Sequence, residues 1–550
     1  MTSTSESSLH AHTMPDLLQA SASLSPSNAS ISKGSFSTDV SIEAAGLDTV
    51  YRRHGRVDLV PMPSDSPSDP LNWPAWRKNL LLGIVAAHAM QGPFSAGKLI
   101  PRSPTGATPA DELNSDKGMV IPAFTDFSQD FNISLNKAAY LISVPILFLG
   151  IFPILWSPIS ERIGRRPVYL ISALVSAACA FAGAYCTSYN TLMVTRIFQA
   201  IFICPPQSTG ACTVSEMFFE HERGRKMGVW TLLVTIGALA APLVVGYLVE
   251  LKGWRTEFYL LAAIHLTIFF LHLFFGPETL YPERSLPSKE LEQEKCEAPQ
   301  SEIKWYDQYI GFRIYSKEPF HVREILRPFA MIVRPVVVLP SLAYAITCAY
   351  TSVLMSVLVP SIFGEIFHLT SGQVGLQFIA LTVGAVIGEL LAGRGSDMLV
   401  NWRTKRAGGK RLPEYRLLLA YPGFIFSFIG LIVWGVQLQN ATPGVWNVTP
   451  DIGSGIALFG LQLVTTVCAT YSIESYVPET KDVSAFIVLT RQIFAFIAPF
   501  YLPIPFASWG NARAAGLFAS LIGLATFMVL ACQIWGPAMR RWKTLKNCCR

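Results

Sequence analysis

Apolar runs of about 20 residues recur along this chain, and their repetition constrains its fold more than any other feature. An α-helix needs about 20 mostly apolar residues to cross roughly 30 Å of hydrocarbon. Twelve such runs, numbered here as spans 1 to 12, lie near residues 78–97, 138–157, 167–187, 190–213, 226–249, 255–275, 334–360, 372–393, 415–437, 452–474, 483–505 and 513–536. Charged residues make up only 15% of the 550 residues, whereas a soluble domain carries roughly 25%. The sequence therefore predicts an all-α membrane protein with twelve transmembrane helices.

A polar stretch divides the twelve spans into two sets of six. The predicted organisation is a disordered N-terminal tail, a first six-helix bundle, a linker, a second six-helix bundle and a basic tail, at 1–75, 76–275, 276–330, 331–537 and 538–550. The tail is Ser-rich and lacks the apolar core of a signal peptide. Segment 98–118 is polar and interrupts an otherwise smooth continuation of span 1. It is either an insertion into that span or a long external loop.

Positive charge predicts the orientation, because Lys and Arg are retained on the cytosolic side of a membrane. The loops after spans 2, 4 and 8 and the C-terminal tail are rich in both residues. Both termini and the linker are therefore predicted to be cytosolic. Three glycosylation sequons, at Asn132, Asn440 and Asn447, fall in loops that this rule places outside. They are predicted to be glycosylated.

The loop after span 2 carries the most specific motif. Its key residues are Ser157, Glu161, Arg162, Gly164, Arg165 and Arg166. The stretch resembles the loop signature of the major facilitator superfamily, Gly-x-Leu-x-Asp-Arg-x-Gly-Arg-Arg. It departs from that signature at Ser157, which replaces Gly, and at Glu161, which replaces Asp. The resemblance implies a tight turn whose charged side chains lock the two halves together on the cytosolic side.

A second copy of this turn is predicted after span 8, from Gly393 to Asp397. Asp397 follows Glu161 by 236 residues, which is close to half of the membrane domain. Related motifs in equivalent loops are typical of duplicated six-helix bundles. The sequence thus predicts two pseudo-symmetric bundles, the fold of the major facilitator superfamily.

Two further segments resemble drug:proton antiporters of this superfamily. Arg196 and Gln199 in span 4 match an Arg-x-x-Gln signature and lie three residues apart, on one helix face. An intramembrane Arg marks a functional site by default. Arg196 either holds a substrate acceptor group, lowers the pKa of a nearby carboxylate, or caps a neighbouring helix. In span 5, Gly237, Pro242 and Gly246 resemble the antiporter packing motif, although two of its glycines are replaced.

The remaining ionisable residues within the spans limit the possible coupling groups. The sequence offers His88 beside a predicted bend in span 1, together with Glu389, Glu474 and Arg491. Glu474 and Arg491 are predicted to pair between spans 10 and 11, as a structural gate more than as a proton carrier. His88 either titrates near neutral pH or packs as a neutral side chain between helices.

Sequences flanking spans 1, 6 and 10 are similar to fungal members of the twelve-span drug:proton antiporter family. The resemblance implies a secondary transporter, without cofactor, that uses a proton gradient to export a small organic compound by alternating access. Proton-coupled uptake of a small organic solute, such as an organic anion or a polyamine, and a transporter-like sensor are the alternatives. No catalytic triad, phosphate loop, metal cluster or basic nucleic-acid stripe is evident in the sequence. The chain is expected to be a monomer in the plasma membrane, with the vacuolar and peroxisomal membranes as alternatives.

Overall fold

Helices account for every regular element among the residues that the structure describes. The computed structural model describes residues 59, 61–64, 66, 69–96, 131, 135–281, 322–408, 412–476 and 479–548. The predicted tail up to residue 58, segment 98–118, most of the linker and the sequon at Asn132 lie outside these residues. Within them, every element is an α-, 3₁₀- or π-helix.

The first half contains six helical spans. Two of them are interrupted, and span 1 contains an internal proline. Their helices are Ala75–Ala96 for span 1, Leu135–Ile151 with Pro153–Ile163 for span 2, Arg165–Ala184 for span 3, Tyr189–Ile203 with Pro205–Met217 for span 4, Glu220–Lys252 for span 5 and Arg255–Phe275 for span 6. Prolines lie at each irregularity because they lack the N–H that the helix ladder requires. Pro93 lies within span 1, Pro153 follows a 43° bend in span 2, and Pro205 begins the second part of span 4.

The second half repeats this order after a short helix, Val322–Ala330. Its spans are Pro335–Phe367, Ser371–Arg406, Pro413–Gln439, Thr449–Ser475, Thr480–Trp509 and Asn511–Arg540 for spans 7 to 12. Span 7 includes one π-helical turn, Ala349–Val353. Such turns are rare and often occur at functional sites.

Most of these helices are long and apolar enough to cross a membrane. In the described residues, nine qualify by length and hydropathy, and the bent span 2 makes a tenth. Spans 1 and 4 complete the predicted series of twelve but fall short of that test. Span 4 is divided at Cys204 into pieces of 15 and 13 residues, which explains its failure.

The predicted turn after span 8 is wrong. Gly393 and Asp397 lie within the continuous helix Ser371–Arg406, so the chain turns only after Arg406. The helix continues beyond the apolar run, so the polar residues from 393 onward remain helical. Span 8 is therefore longer than the apolar run at 372–393 that predicted it.

Glycines allow spans 9 and 10 to approach closely. A Cβ atom at Gly430 would lie 2.3 Å from the backbone nitrogen of Ala457, and one at Gly460 would lie 2.4 Å from the carbonyl oxygen of Gly423. Small residues serve this purpose in membranes, where helices associate by close packing. Span 10 is accordingly among the most buried of the helices.

The segment after span 6 fixes the start of span 3. Glu278 accepts hydrogen bonds from the backbone N–H groups of Arg165 and Arg166, at 2.9 and 3.0 Å, and from those of Thr279 and Leu280. Burial raises the pKa of the Glu278 carboxyl above its ordinary value, and these backbone bonds oppose that rise. A carboxylate at a helix N-terminus also interacts favourably with the helix dipole. The sequence that flanks span 6, residues 276–279, thus has a structural role.

Candidate functional site

Ionic contacts join the halves at the end of the bundle that carries the loops after spans 2, 4 and 8, here called the basic end. Glu161, near the end of span 2, accepts a hydrogen bond from Lys481 in the first turn of span 11. Beside it, Arg162 donates to both carboxylate oxygens of Glu324, at 3.0 and 2.9 Å, in the helix before span 7. Glu161 and Arg162 therefore hold the first half against the second.

Gly164 makes the turn that separates spans 2 and 3. Its φ of 103° lies in the region that favours glycine. Ser157, where the superfamily signature has Gly, is buried in the last turns of span 2 and accepts a hydrogen bond from Ser160 through its carbonyl. Arg166 donates to the carbonyls of Gly276 and Leu273 at the end of span 6. The loop is thus anchored within the first half as well as across to the second.

Arg165 forms a buried cluster at the basic end of the first half. Its guanidinium donates to Glu216 of span 4 at 2.9 Å and to the hydroxyl of Ser160. Glu216 also accepts a hydrogen bond from Thr279 at 2.9 Å. This arginine therefore ties spans 2, 3 and 4 together, and its hydrogen bonds to described residues all stay within the first half.

An equivalent cluster in the second half is built around Arg416, at the start of span 9. Arg416 donates two hydrogen bonds of 2.8 Å to Glu474 of span 10 and one of 2.7 Å to Ser396 of span 8. It also pairs with Asp397 at 2.8 Å. The Ser, acid, Arg and Glu of this cluster reproduce those around Arg165, as expected for duplicated halves.

Asp397 also lies against the start of span 5. A Cβ atom at Gly224 would lie 3.0 Å from both carboxylate oxygens of Asp397. Span 5 begins at Glu220, so the carboxylate faces the positive end of that helix dipole. Glu161 occupies the corresponding place at the start of span 11. At the basic end, Glu161 and Asp397 thus each face the start of a helix that belongs to the other half.

The predicted pair between Glu474 and Arg491 is wrong. Glu474 is bound in a bidentate manner by Arg416. Arg491 lies further into span 11 and donates to Gln207 of span 4, in the opposite half. The prediction failed because it paired two residues on adjacent spans without considering the arginine that follows the loop after span 8.

Arg196 links span 4 to span 1. Its guanidinium donates to the carbonyl of Ser95 at 2.9 Å, to the hydroxyl of Ser95 at 3.2 Å and to Gln199 at 3.4 Å. Ser95 lies in the last turn of the helix Ala75–Ala96, whose final carbonyls have no partner within the helix. Arg196 is buried, and Glu257 of span 6 interacts with it electrostatically. This geometry matches the predicted helix-capping role.

Two buried histidine groups connect spans 1, 3, 4 and 6. His265 lies 2.6 Å from the amide oxygen of Gln91 and 3.2 Å from the amide nitrogen of Gln199. His88 lies 3.2 Å from His272 and 3.0 Å from the hydroxyl of Ser172. His265 and His272, seven residues apart on span 6, therefore both face into the first half and not into lipid.

Glu389 of span 8 is a buried carboxyl with only neutral partners among the described residues. One oxygen accepts hydrogen bonds from Gln462 at 2.7 Å and from Thr466 at 2.6 Å, both on span 10. The other oxygen has no hydrogen-bond partner in the described part of the chain. It faces Gly228 of span 5, where a Cβ atom would lie 2.4 Å from it. Glu389 therefore lies at the contact between the halves.

Arg491 lies at a second contact between the halves, near the middle of span 11. Gln207 accepts from Arg491 at 3.3 Å and from Gln492 at 3.5 Å, through the same amide oxygen. The Tyr344 hydroxyl of span 7 is also a hydrogen-bond partner of Arg491. Within the described ranges, Arg491 has no ion pair, and its side chain keeps a partly accessible surface.

The span-5 residues pack against both halves. A Cβ atom at Gly237 would lie 2.4 Å from the carbonyl oxygen of Met90 in span 1, and one at Gly246 would lie 2.7 Å from that of Ser371 in span 8. The carbonyl oxygen of Pro242 approaches Gly375 equally closely. Span 5 can meet span 8 along this length because these positions carry no large side chain.

The remaining predictions concern glycosylation and metal binding. Asn440 and Asn447 are exposed in the loop between spans 9 and 10, at the end opposite to the basic end. Among the residues that the structure describes, no group of three or more His, Cys, Asp or Glu side chains could hold a metal ion.

Comparison with known proteins agrees with this architecture. Residues 115–499 match the family model of the Major Facilitator Superfamily. The chain belongs to the major facilitator superfamily. This finding confirms the predicted family and the predicted fold class, and it identifies the chain as a multi-pass membrane transporter.

The superfamily relatives include fungal transporters. The MFS-type transporter penM of Penicillium rubens is 27% identical over 453 residues, which cover 81% of this chain and 83% of penM. The probable efflux pump mfs2 of Aspergillus flavus is 24% identical, over 77% of this chain and 98% of the pump. A crystal structure of a D-xylose-proton symporter has a TM-score of 0.56 at 14% identity and covers 82% of this chain and 97% of the symporter chain. That structural likeness shows the superfamily fold alone.

Sequence reasoning missed several partners in these sites. Those residues are Lys481, Glu324, Glu216, Arg416, Gln207 and Tyr344. One signal was available, because Ser396 follows Ser160 by the same 236 residues that separate Asp397 from Glu161. Arg416 could not be found from that offset, since it follows Arg165 by 251 residues, across a longer loop.

Charge reversal tests the contact between Glu161 and Lys481. Lys481→Glu replaces an attraction by a repulsion, which should open the basic end and expose Cys212, a buried residue near both side chains. The lost ion pair and the new repulsion together destabilise the closed basic end by about 1 kcal/mol. The open form becomes more populated, so alkylation of Cys212 by N-ethylmaleimide should accelerate roughly fivefold. The double variant Glu161→Lys with Lys481→Glu restores the pair and should return to the wild-type rate. Equal rates in all three proteins would contradict a gating role.

Proposed function

We propose that this protein exports a small organic compound in exchange for protons by alternating access. The basic end faces the cytosol, as do both termini, and the opposite end faces outward from the plasma membrane. Asn440 and Asn447 are then external and glycosylated. The relative mfs2 supports export, because it is named a probable efflux pump. The relative penM, an MFS-type transporter, supports transport without a direction.

Glu389 is the observation that supports proton coupling. An ionised carboxylate that is buried without a cation is unfavourable by several kcal/mol. Its partners Gln462 and Thr466 are neutral, and its second oxygen faces the backbone of Gly228. The closed contact between spans 5 and 8 therefore favours the protonated, neutral carboxyl.

Separation of the halves at the basic end would change the surroundings of Glu389. Water that enters between spans 5 and 8 stabilises the carboxylate, so the carboxyl releases its proton to the cytosol. The ionic contacts of Glu161 and Arg162 break in the same movement. Proton release and opening towards the cytosol thus favour each other, and the compound to be exported binds in the opened state.

Arg196 acts in this scheme by positioning helices. It ties span 4 to the last turn of span 1 and orients Gln199 towards His265. His88, beside His272 and Ser172, holds the same part of span 1 against spans 3 and 6. These groups keep the first half rigid while it moves relative to the second.

Deletion and overexpression of the gene test the proposal even though the compound is unidentified. Untargeted mass spectrometry of cells and medium should show at least one small organic compound retained in the deletion strain and depleted from the overexpressing strain. A C-terminal fluorescent tag should report the plasma membrane. Addition of a protonophore should abolish the difference in medium levels. Unchanged retention in both strains would overturn export, whereas reduced uptake of a supplied solute in the deletion strain would favour the symporter alternative.

A further inference from the structure

Arg491 lies inside the helical bundle, and none of the described residues neutralises its positive charge. Arginines within a membrane domain normally pair with a carboxylate, because an isolated charge in hydrocarbon is unfavourable. Four other arginines of the sites above have such a partner: Arg162 has Glu324, Arg165 has Glu216, Arg416 has Glu474, and Arg196 has Glu257 nearby. Arg491 has only Gln207 and the Tyr344 hydroxyl among the residues that the structure describes.

The hydrogen-bond acceptors that Arg491 has among the described residues are neutral oxygens. A guanidinium has five N–H donors, and its bond to Gln207 is long at 3.3 Å. The amide nitrogen of Gln207 is buried and has no acceptor in the described residues. A planar oxyanion would satisfy the guanidinium, since an Arg fork matches the geometry of a carboxylate. The amide nitrogen of Gln207 lies against Gly92 of span 1, and rotation of the amide would turn this nitrogen towards the same anion.

The place of this cluster fits a ligand that both halves must hold. Gln207 comes from the first half, whereas Arg491 and Tyr344 come from the second. Span 7 has its π-helical turn, Ala349–Val353, immediately after Cys348, which is itself partly exposed and interacts electrostatically with Arg491. Tyr350, on that turn, packs against Tyr501 and Phe518.

We propose that Arg491, with the Gln207 amide and the Tyr344 hydroxyl, binds an anionic oxygen group, such as a carboxylate, on the organic compound that this protein carries. The compound supplies the counter-charge that the protein lacks at this point. This assignment rests on the transport function proposed above, and it narrows the substrate class to amphipathic organic anions. A polyamine, which is among the alternative solutes, would be repelled.

Charged thiol reagents at Cys348 test the site independently of the natural compound. Purified protein in nanodiscs is treated with the anionic reagent methanethiosulfonate ethylsulfonate or its cationic trimethylammonium counterpart, and modification of Cys348 is followed by peptide mass spectrometry. Rates are normalised to those of a small free thiol. A fixed cation beside the thiol should favour the anionic reagent by about tenfold. Arg491→Gln should remove this preference, and Arg491→Lys, which keeps the charge, should retain it.

Every other outcome overturns the proposal. A preference that survives Arg491→Gln would show another source of positive potential, and equal or cation-favoured rates in the wild type would show none. A Cys348 thiol that neither reagent modifies would show that water does not reach the site. The assay requires no transport, so a preserved anion preference in a protein that exports nothing would refute the proposed function alone.

Discussion

Arg416→Ala is expected to lower the stability of the protein by about 3–5 kcal/mol, because it leaves two carboxylates at the basic end without their cation. Glu474 would lose a bidentate partner, and Asp397 and Ser396 would lose theirs in the same substitution. The arginine joins spans 8, 9 and 10, so the damage extends over the second half. The protein is heated in detergent and then analysed by size-exclusion chromatography. Arg416→Ala should lose its monodisperse peak at a lower temperature than the wild type.

Two further variants separate this effect from a general loss of positive charge. Arg394→Ala removes an exposed arginine from the same end of span 8 and should change stability by less than about 0.5 kcal/mol. The double variant Arg416→Met with Glu474→Gln removes both members of the pair and should recover part of the loss. If Arg416→Ala unfolds at the same temperature as Arg394→Ala, the cluster does not stabilise the fold.

The fold was predictable because the membrane imposes it. Each span must satisfy its own backbone hydrogen bonds and present apolar side chains to lipid, so the sequence carries a strong periodic signal. Hydropathy marks where the chain leaves the hydrocarbon, however, and not where the helix ends. Gly393 and Asp397 show the difference, since both remain helical beyond the apolar run.

Partners across the bundle were not predictable in the same way. Glu474 and Arg491 are near each other in sequence, but a helix places residues on faces that hydropathy does not distinguish when all faces are apolar. Glu474 turns towards Arg416, and Arg491 turns towards Gln207. The motif residues Glu161 and Arg162 were recognised from their type and spacing, whereas Lys481 and Glu324 have no motif of their own.

Glu389→Gln is expected to abolish proton-driven accumulation while it preserves exchange of the compound across the membrane. Glutamine has nearly the shape of a protonated glutamic acid, so spans 5 and 8 can still close around Gly228 and Gln462. The variant cannot release a proton on opening, so the movement no longer depends on pH. For an exchange of one proton per compound, the wild-type accumulation ratio should change by about tenfold per unit of imposed pH difference. The ratio in Glu389→Gln should stay near one.

The measurement uses proteoliposomes and the compound that the deletion strain retains. Accumulation is recorded at several imposed pH gradients, and counterflow of labelled against unlabelled compound is recorded without a gradient. Glu389→Asp keeps an ionisable group, although a shorter one, and should retain a pH-dependent ratio at a reduced rate. Loss of both counterflow and accumulation in Glu389→Gln would indicate a structural role. Accumulation that still follows the pH gradient would exclude Glu389 as the coupling carboxyl, because a glutamine side chain cannot carry the proton that the contact between spans 5 and 8 would have to release.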